Sequence, residues 1–280
     1  MHKLIIKLSA LSALTLLSFT AQAIPLVSNF NFMTYTGNTP RDTFANVSPS
    51  GWNVGWSDYV YINQPGTGSN SACGGTIFPS AQCPSTLNIG NYNYVQSDGN
   101  PFYSSPFSYQ ITGLTVGQTY SLSFWQAASQ QAGFANYYPG LSTTEQWIVS
   151  LGTSGMSLKT NSNGALYTYT SNSNVFYSYT NADPTASVVQ TALMNTPSNG
   201  LVDWNKVTVN LKADSTSDFL SFMAWGNNGN TINTPPIVFL AGAGNTPLIP
   251  VPEPFTLALM SVGLLALGAS KLPRPAKRAA

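Results

Sequence analysis

Ile111-Thr112-Gly113-Leu114-Thr115-Val116-Gly117-Gln118-Thr119-Tyr120-Ser121-Leu122-Ser123-Phe124-Trp125 says more about the fold than any other stretch of the 280 residues. From residue 119 to 126 the chain alternates, with Tyr120, Leu122 and Phe124 on one side and Ser121, Ser123 and Trp125 on the other. A period of two is that of a half-buried strand, because successive side chains of extended backbone point to opposite faces. Gly113 and Gly117, just upstream, mark the turn that launches it.

The same pattern recurs outward along the chain. Trp204, Lys206, Thr208 and Asn210 alternate with Asn205, Val207, Val209 and Leu211, and residues 219–225 and 237–240 are short apolar runs. Turn formers fill the gaps, as in Asp98-Gly99-Asn100-Pro101 and Gly226-Asn227-Asn228-Gly229. No stretch of the core has the period of an amphipathic helix. Many short strands with turns between them predict an all-β chain, an antiparallel β-sandwich of the jelly-roll kind, rather than an α/β fold.

Composition narrows the function. Charged residues are 7% of the chain, against roughly 25% in an ordinary soluble domain. So few cations exclude a nucleic-acid partner, which demands clustered Lys and Arg against phosphates. The 14 Phe, 14 Tyr and 6 Trp supply a sizeable core and argue against disorder.

The two ends read as targeting segments. Residues 1–23 open with Lys3 and Lys7, continue through an apolar run and close on Ala21-Gln22-Ala23, the layout of a secretory signal cleaved after Ala23. Passage through the Sec translocon and cutting by signal peptidase follow from it. An uncleaved anchor is the alternative, but the apolar run falls short of the roughly 20 residues of a spanning helix. At the other end, Val251-Pro252-Glu253-Pro254 precedes an uncharged apolar stretch, residues 255–270, and then Lys271, Arg274, Lys277 and Arg278. The cations hold the tail in the cytoplasm by the positive-inside rule, with the bulk of the chain outside and the apolar helix inserted in the inner membrane.

Pro252, Glu253 and Pro254, one apolar helix and a basic tail resemble the PEP-CTERM sorting signal of Gram-negative bacteria over residues 251–280. The resemblance implies recognition by exosortase, a membrane-embedded enzyme that cuts at the Pro-Glu-Pro, so that insertion is transient and the mature protein reaches the cell surface or extracellular matrix. A permanent single-pass anchor is the alternative. The domain plan is then signal peptide 1–23, β-sandwich 24–250 and sorting signal 251–280.

Six of the ten cations belong to these signals, which leaves four cations against eight acids in residues 24–250, a net charge of −4. The one histidine, His2, lies in the signal, so Ser-His-Asp and Cys-His catalysis are excluded. No metal or cofactor is expected. Cys73 and Cys83 sit ten positions apart in a Gly/Ser/Pro-rich segment; in an oxidising compartment that spacing reads as a disulfide pinning a surface loop, with a pair of free thiols as the alternative. Asn46-Val47-Ser48 is an Asn-x-Ser sequon, read here as a turn.

Patches of residues 24–243 also resemble exported jelly-roll proteins related to galactose-binding-like sandwiches: Leu26 to Phe30, Gly51-Trp52, Asp58 to Tyr61, the 111–125 stretch, Thr144 to Trp147 and Phe219 to Phe222. Relatives in that family carry a calcium-supporting Asp-x-Val in the last strand; residues 237–242 hold no carboxylate, so that site does not carry over.

Glycan recognition uses aromatic faces against pyranose rings. Tyr59 and Tyr61 share one strand face, and Trp52, Trp56, Tyr137 and Tyr138 sit in Gly- and Asn-rich surroundings, so these six form a candidate platform, with ordinary core or turn aromatics as the alternative. An enzyme without histidine would need a carboxylate pair. Glu145 is the only glutamate in residues 24–250, and Asp214 and Asp218 flank a Ser/Thr turn that reads as exposed loop. No pair stands out, so the sequence predicts a non-catalytic protein that binds exopolysaccharide, with a structural, glycosylated surface protein and, behind it, a polysaccharide-active hydrolase or lyase as the alternatives.

Overall fold

A computed structural model describes residues 23–252, apart from 38–41, 45, 55–58, 65–72, 74–79, 81, 86–90, 101–102, 104, 133–139, 159–167, 172–173, 178, 182–183 and 228–235, together with Gly263. The expected signal peptide up to Gln22, Glu253, Pro254 and the expected 255–270 helix other than Gly263 lie outside the described residues. Among the described residues no helix is long and apolar enough to cross a membrane.

In residues 23–252 the regular structure among the described residues is almost entirely strand. In chain order the strands are β1 (Leu26–Val27), β2 (Tyr35–Gly37), β3 (Asp42–Thr43), β4 (Val47–Pro49), β5 (Trp52–Val54), β6 (Val60–Asn63), β7 (Tyr94–Asp98), β8 (Phe107–Thr112), β9 (Thr119–Gln130), β10 (Thr143–Gly152) and β11 (Met156–Leu158). There follow β12 (Thr168–Ser171), β13 (Asn174–Tyr177), β14 (Tyr179–Asn181), β15 (Ser187–Gln190), β16 (Met194–Thr196), β17 (Leu201–Lys212), β18 (Ser217–Gly226), β19 (Pro236–Ala241), β20 (Thr246–Pro247) and β21 (Ile249–Pro250).

Two antiparallel sheets make a sandwich. One has the order β15-β10-β18-β8-β5 with β16 also on β10; the other has the order β17-β9-β19-β7-β6-β3 with β21 also on β9. From β7 to β10, and again from β17 to β19, successive strands alternate between the sheets.

The 111–125 stretch behaves as its period demands. Gly113 and Gly117 adopt φ of 79° and 80°, the left-handed region that glycine enters without steric cost. Gly117 N donates to Ala213 O at 2.8 Å and Thr115 N donates to the Tyr120 hydroxyl at 2.9 Å, closing the turn. Beyond it β9 sends Tyr120, Leu122 and Phe124 into the core. There Phe124 and Phe222 meet edge to face at 5.3 Å, and Phe107 stacks on Phe222 at 5.6 Å. Trp147, fully buried on β10, donates from Nε1 to Phe239 O on β19 at 3.0 Å and so ties the two sheets through the core.

Trp52 is 4% exposed, within 5.6 Å of Phe30 and 5.5 Å of Phe107. It is a core residue and not part of a surface platform: an extended residue at the edge of β5 turns its ring inward beneath the N-terminal turn. That turn is held by Asn29, whose side chain accepts from Thr34 N and donates to Thr34 O and Ser50 O. The chain at Gly242 passes so close to Phe30 that an added Cβ would lie 2.2 Å from the ring, which requires glycine there.

Asp218 also departs from expectation. It is fully buried and accepts hydrogen bonds from Asp214 N and Ser215 N, so it pins the turn from inside.

Candidate binding site

The outer face of the seven-stranded sheet has two halves. Over one lies the cysteine segment: Ser80 N donates to Cys73 O at 2.8 Å, Gln82 N to Ser129 Oγ at 3.2 Å, and Ser85 N to Asp203 Oδ1 at 2.9 Å. Beneath it Tyr61, Tyr94, Ala127, Trp204, Ile237 and Phe239 form a second apolar cluster with Cys73. Tyr61 is 3% exposed there, so it too is removed from the expected platform. The two cysteines are free thiols in contact, not a disulfide. Burial, followed by the neighbouring Cys83, drives the Cys73 thiol far above its ordinary range. The loop is held by Ser80, Gln82 and Ser85 instead.

The other half is open, for a topological reason. β19 pairs with β9 only as far as Ala241 opposite Trp125. The chain then turns away through Gly244 (φ 58°), pairs β20 with β1, and rejoins β9 as β21 with Ile249 opposite Ser121. Between departure and return lies a groove of about 300 Å³. Ser121, Ser123 and Trp125 form its floor; Asn245, Thr246 and Ile249 wall one side and Lys206 the other.

Trp125 is half-buried, resting on the edge of the covered cluster. Lys206 stands opposite it in the β17–β9 register, with Nζ 5.3 Å from the ring centroid. Beside them the Ser123 and Thr208 hydroxyls hydrogen-bond at 2.8 Å. A second hollow of about 560 Å³, lined by Asn29, Asn31, Thr34 and Ser50, meets the first at Asn245. The groove therefore offers one flat apolar ring among hydroxyls and amides, continued by an amide-rich hollow. Such a surface suits a hydroxylated ligand with an apolar face.

Of the expected aromatics, Tyr59 is half-buried at the opposite end of the sandwich, its ring 4.8 Å from that of Tyr103. Trp56, Tyr137 and Tyr138 lie outside the described residues. The structure thus does not gather the expected six residues into one site. The signal for Trp125 was its outward phase in the very strand that identifies the fold.

Two acids have raised pKa values. Glu145 is fully buried; Oε2 accepts from Thr196 Oγ1 at 2.6 Å, and Oε1 has no hydrogen-bond partner among the described residues. Burial pushes its carboxyl up to about 8 despite the Thr143 and Thr196 hydroxyls. Asp98 is pushed up to about 7 by burial, offset in part by Asn100 N at 2.7 Å. Glu145 shares the inward phase of Trp147, whereas Asp98 pairs with outward-facing Ile237, so the two acids lie on opposite faces of the sheet that carries Asp98. A fully buried carboxyl reaches no polymer as it stands. Among the described residues no three His, Cys, Asp or Glu side chains gather as a metal site.

No family model and no curated protein matches the sequence. Among solved structures, the enzymatically active domain of bacteriophage CBA120 tailspike protein 4 aligns with 72% of this chain at 10% identity and a TM-score of 0.32; the alignment covers 20% of the tailspike chain. TmCBM61 in complex with β-1,4-galactotriose aligns over 77% of this chain and 99% of its own, at 11% identity and a TM-score of 0.32. A protein from Bacteroides thetaiotaomicron described as sugar-binding aligns over 80% and 98%, at 15% identity and a TM-score of 0.31. These structural neighbours include carbohydrate-binding proteins, but at such scores the likeness transfers neither ligand nor residue roles.

Proposed function

We propose that this chain is an exported, non-catalytic jelly-roll protein that binds polysaccharide through the groove at Trp125. The observation that carries the reading is the half-exposed Trp125 ring, set among hydroxyl and amide side chains, on a sheet face whose neighbouring aromatics are covered. Stacking of a sugar's apolar face on such a ring, with hydroxyls meeting Ser121, Ser123 and Asn245, uses the ring together with polar groups beside it.

The test is affinity electrophoresis of the full chain, in mild detergent, through gels containing one polysaccharide each. Retardation by at least one polymer is expected, and Trp125→Ala should remove it while Tyr59→Ala leaves it. A chain retarded by none, or equally retarded without Trp125, rules the groove out and leaves a structural role.

Export and sorting rest on the two sequence signals. The fold supports the boundary: Val251 N donates to Thr119 O, and Val251 O accepts from Gln118 Nε2, each at 2.8 Å. The domain's hydrogen bonding therefore runs up to the residue before Pro252, which is exposed. Processing by exosortase predicts a mature chain that starts at Ile24 and ends near Pro252 to Pro254; intact mass of the surface fraction checks both ends, and recovery of Lys277 or Arg278 there refutes it.

A further inference from the structure

Among the described residues, Lys206 is the one charged side chain lining the Trp125 groove, and no carboxylate shares that lining. It is exposed, and among the described residues no carboxylate pairs with it. The acid on its strand, Asp203, lies within the register shift between Val202 and Asn205, where it accepts from Ser85 N and Trp204 N. Cations are scarce in the chain as a whole, with Arg41, Lys159, Lys206 and Lys212 the four in residues 24–250, whose net charge is −4.

Its position has a consequence for any ligand. With Nζ 5.3 Å from the ring centroid, the ammonium covers the face on which a sugar would stack. A neutral sugar that displaces it stacks on the ring but leaves the ammonium only water in exchange for its cation–π contact. A sugar bearing an anionic group gives the displaced ammonium an ion pair at the edge of the same ring. Lysine suits this exchange because its charge sits on a long flexible stem that swings while the ring stays fixed.

We infer that the groove selects anionic polysaccharides: Trp125 stacks a sugar ring and the Lys206 ammonium pairs with the acidic group that this sugar or its neighbour carries. The inference rests on the reading of the groove as a glycan site and adds the chemical class of the glycan. Carboxylate and sulfate ester share the chemistry, and matched polymers separate them.

The experiment measures retardation of the full chain by polygalacturonate against its methyl-esterified form, and by dextran sulfate against dextran. In at least one pair the anionic member should bind about fivefold more tightly, the upper range for one exposed ion pair, with the difference fading at high salt. The pair that shows it identifies carboxylate or sulfate. Lys206→Met should bring the two members of that pair level, Lys206→Arg should keep the preference, and Lys212→Met, a cation outside the groove, should leave it intact. Equal binding of both members in both pairs, lost with Trp125→Ala, overturns the selectivity and keeps the glycan site. A preference that survives Lys206→Met, or falls equally with Lys212→Met, also overturns it. Binding of none of the four polymers, or binding untouched by Trp125→Ala, overturns both readings.

Discussion

Trp204 and Trp125 stand on the outer face of the same sheet, yet one is core and the other is surface. Trp204 is 7% exposed, in edge contact with Tyr94 at 5.5 Å and Phe239 at 6.3 Å beneath the cysteine segment. Trp125 lies at the margin of that cover, half-buried and facing a groove. The strands supply both aromatics in the same way; a segment from elsewhere in the chain decides which becomes a packing residue and which is left to meet a ligand.

Truncating each ring in turn tests the difference most directly. Trp204→Ala should cost about 3–5 kcal/mol of stability, as a large core truncation does. Trp125→Ala should cost well under half of that, since much of its surface is already in water. Equal shifts in denaturation midpoint would mean the two halves are covered alike.

Stability should also depend on pH, because Asp98 is buried on the covered face. An acid whose pKa is higher in the fold than in the unfolded chain holds protons more tightly when folded, so stability is full at low pH and declines as the pH rises. For Asp98 the decline runs from its ordinary 3.8 to about 7, and for Glu145 from 4.5 to about 8, levelling off above. Thermal melts across this range should show the fall. Asp98→Asn, which keeps an oxygen for Asn100 N, should flatten the lower part, and Glu145→Gln the upper part. A flat wild-type profile would mean that water reaches both carboxyls.

A smaller effect is expected from Trp147→Phe, which keeps the ring and deletes the donor to Phe239 O. The loss should be about 1–2 kcal/mol in chemical denaturation, the cost of a buried carbonyl left without its partner. No change would mean that the bond between the sheets contributes little beneath the covered half.

Much of the fold was legible. The alternation of 119–126 became β9, that of 204–211 lies within β17, and the runs 219–225 and 237–240 lie in β18 and β19. Local period is enough there because backbone geometry alone sets which side chains share a face. The site was legible only in part. The alternation already put Trp125 outward with Ser121 and Ser123, but it put Trp204 outward too. Nothing local distinguishes an outward aromatic that a distant segment will cover from one that stays open. Trp52 and Tyr61 failed as platform residues for the same reason, one taken into the core under the N-terminal turn and the other under the cysteine segment. The spacing of Cys73 and Cys83 suggested a covalent clasp, whereas hydrogen bonds to Ser129 and Asp203 hold the segment down.

By itself the sequence determined the strand phases, the turns at Gly113 and Gly117 and the scarcity of charge, all of which depend on each residue and its near neighbours. Tertiary structure alone decided that Lys206 stands over Trp125, since that needs the β9–β17 register and the shift beyond Val202. It also decided that a groove exists there, because β19 leaves the sheet at Ala241 and β21 returns at Ile249. Such adjacency comes from packing between segments far apart in the chain, where no local pattern reaches.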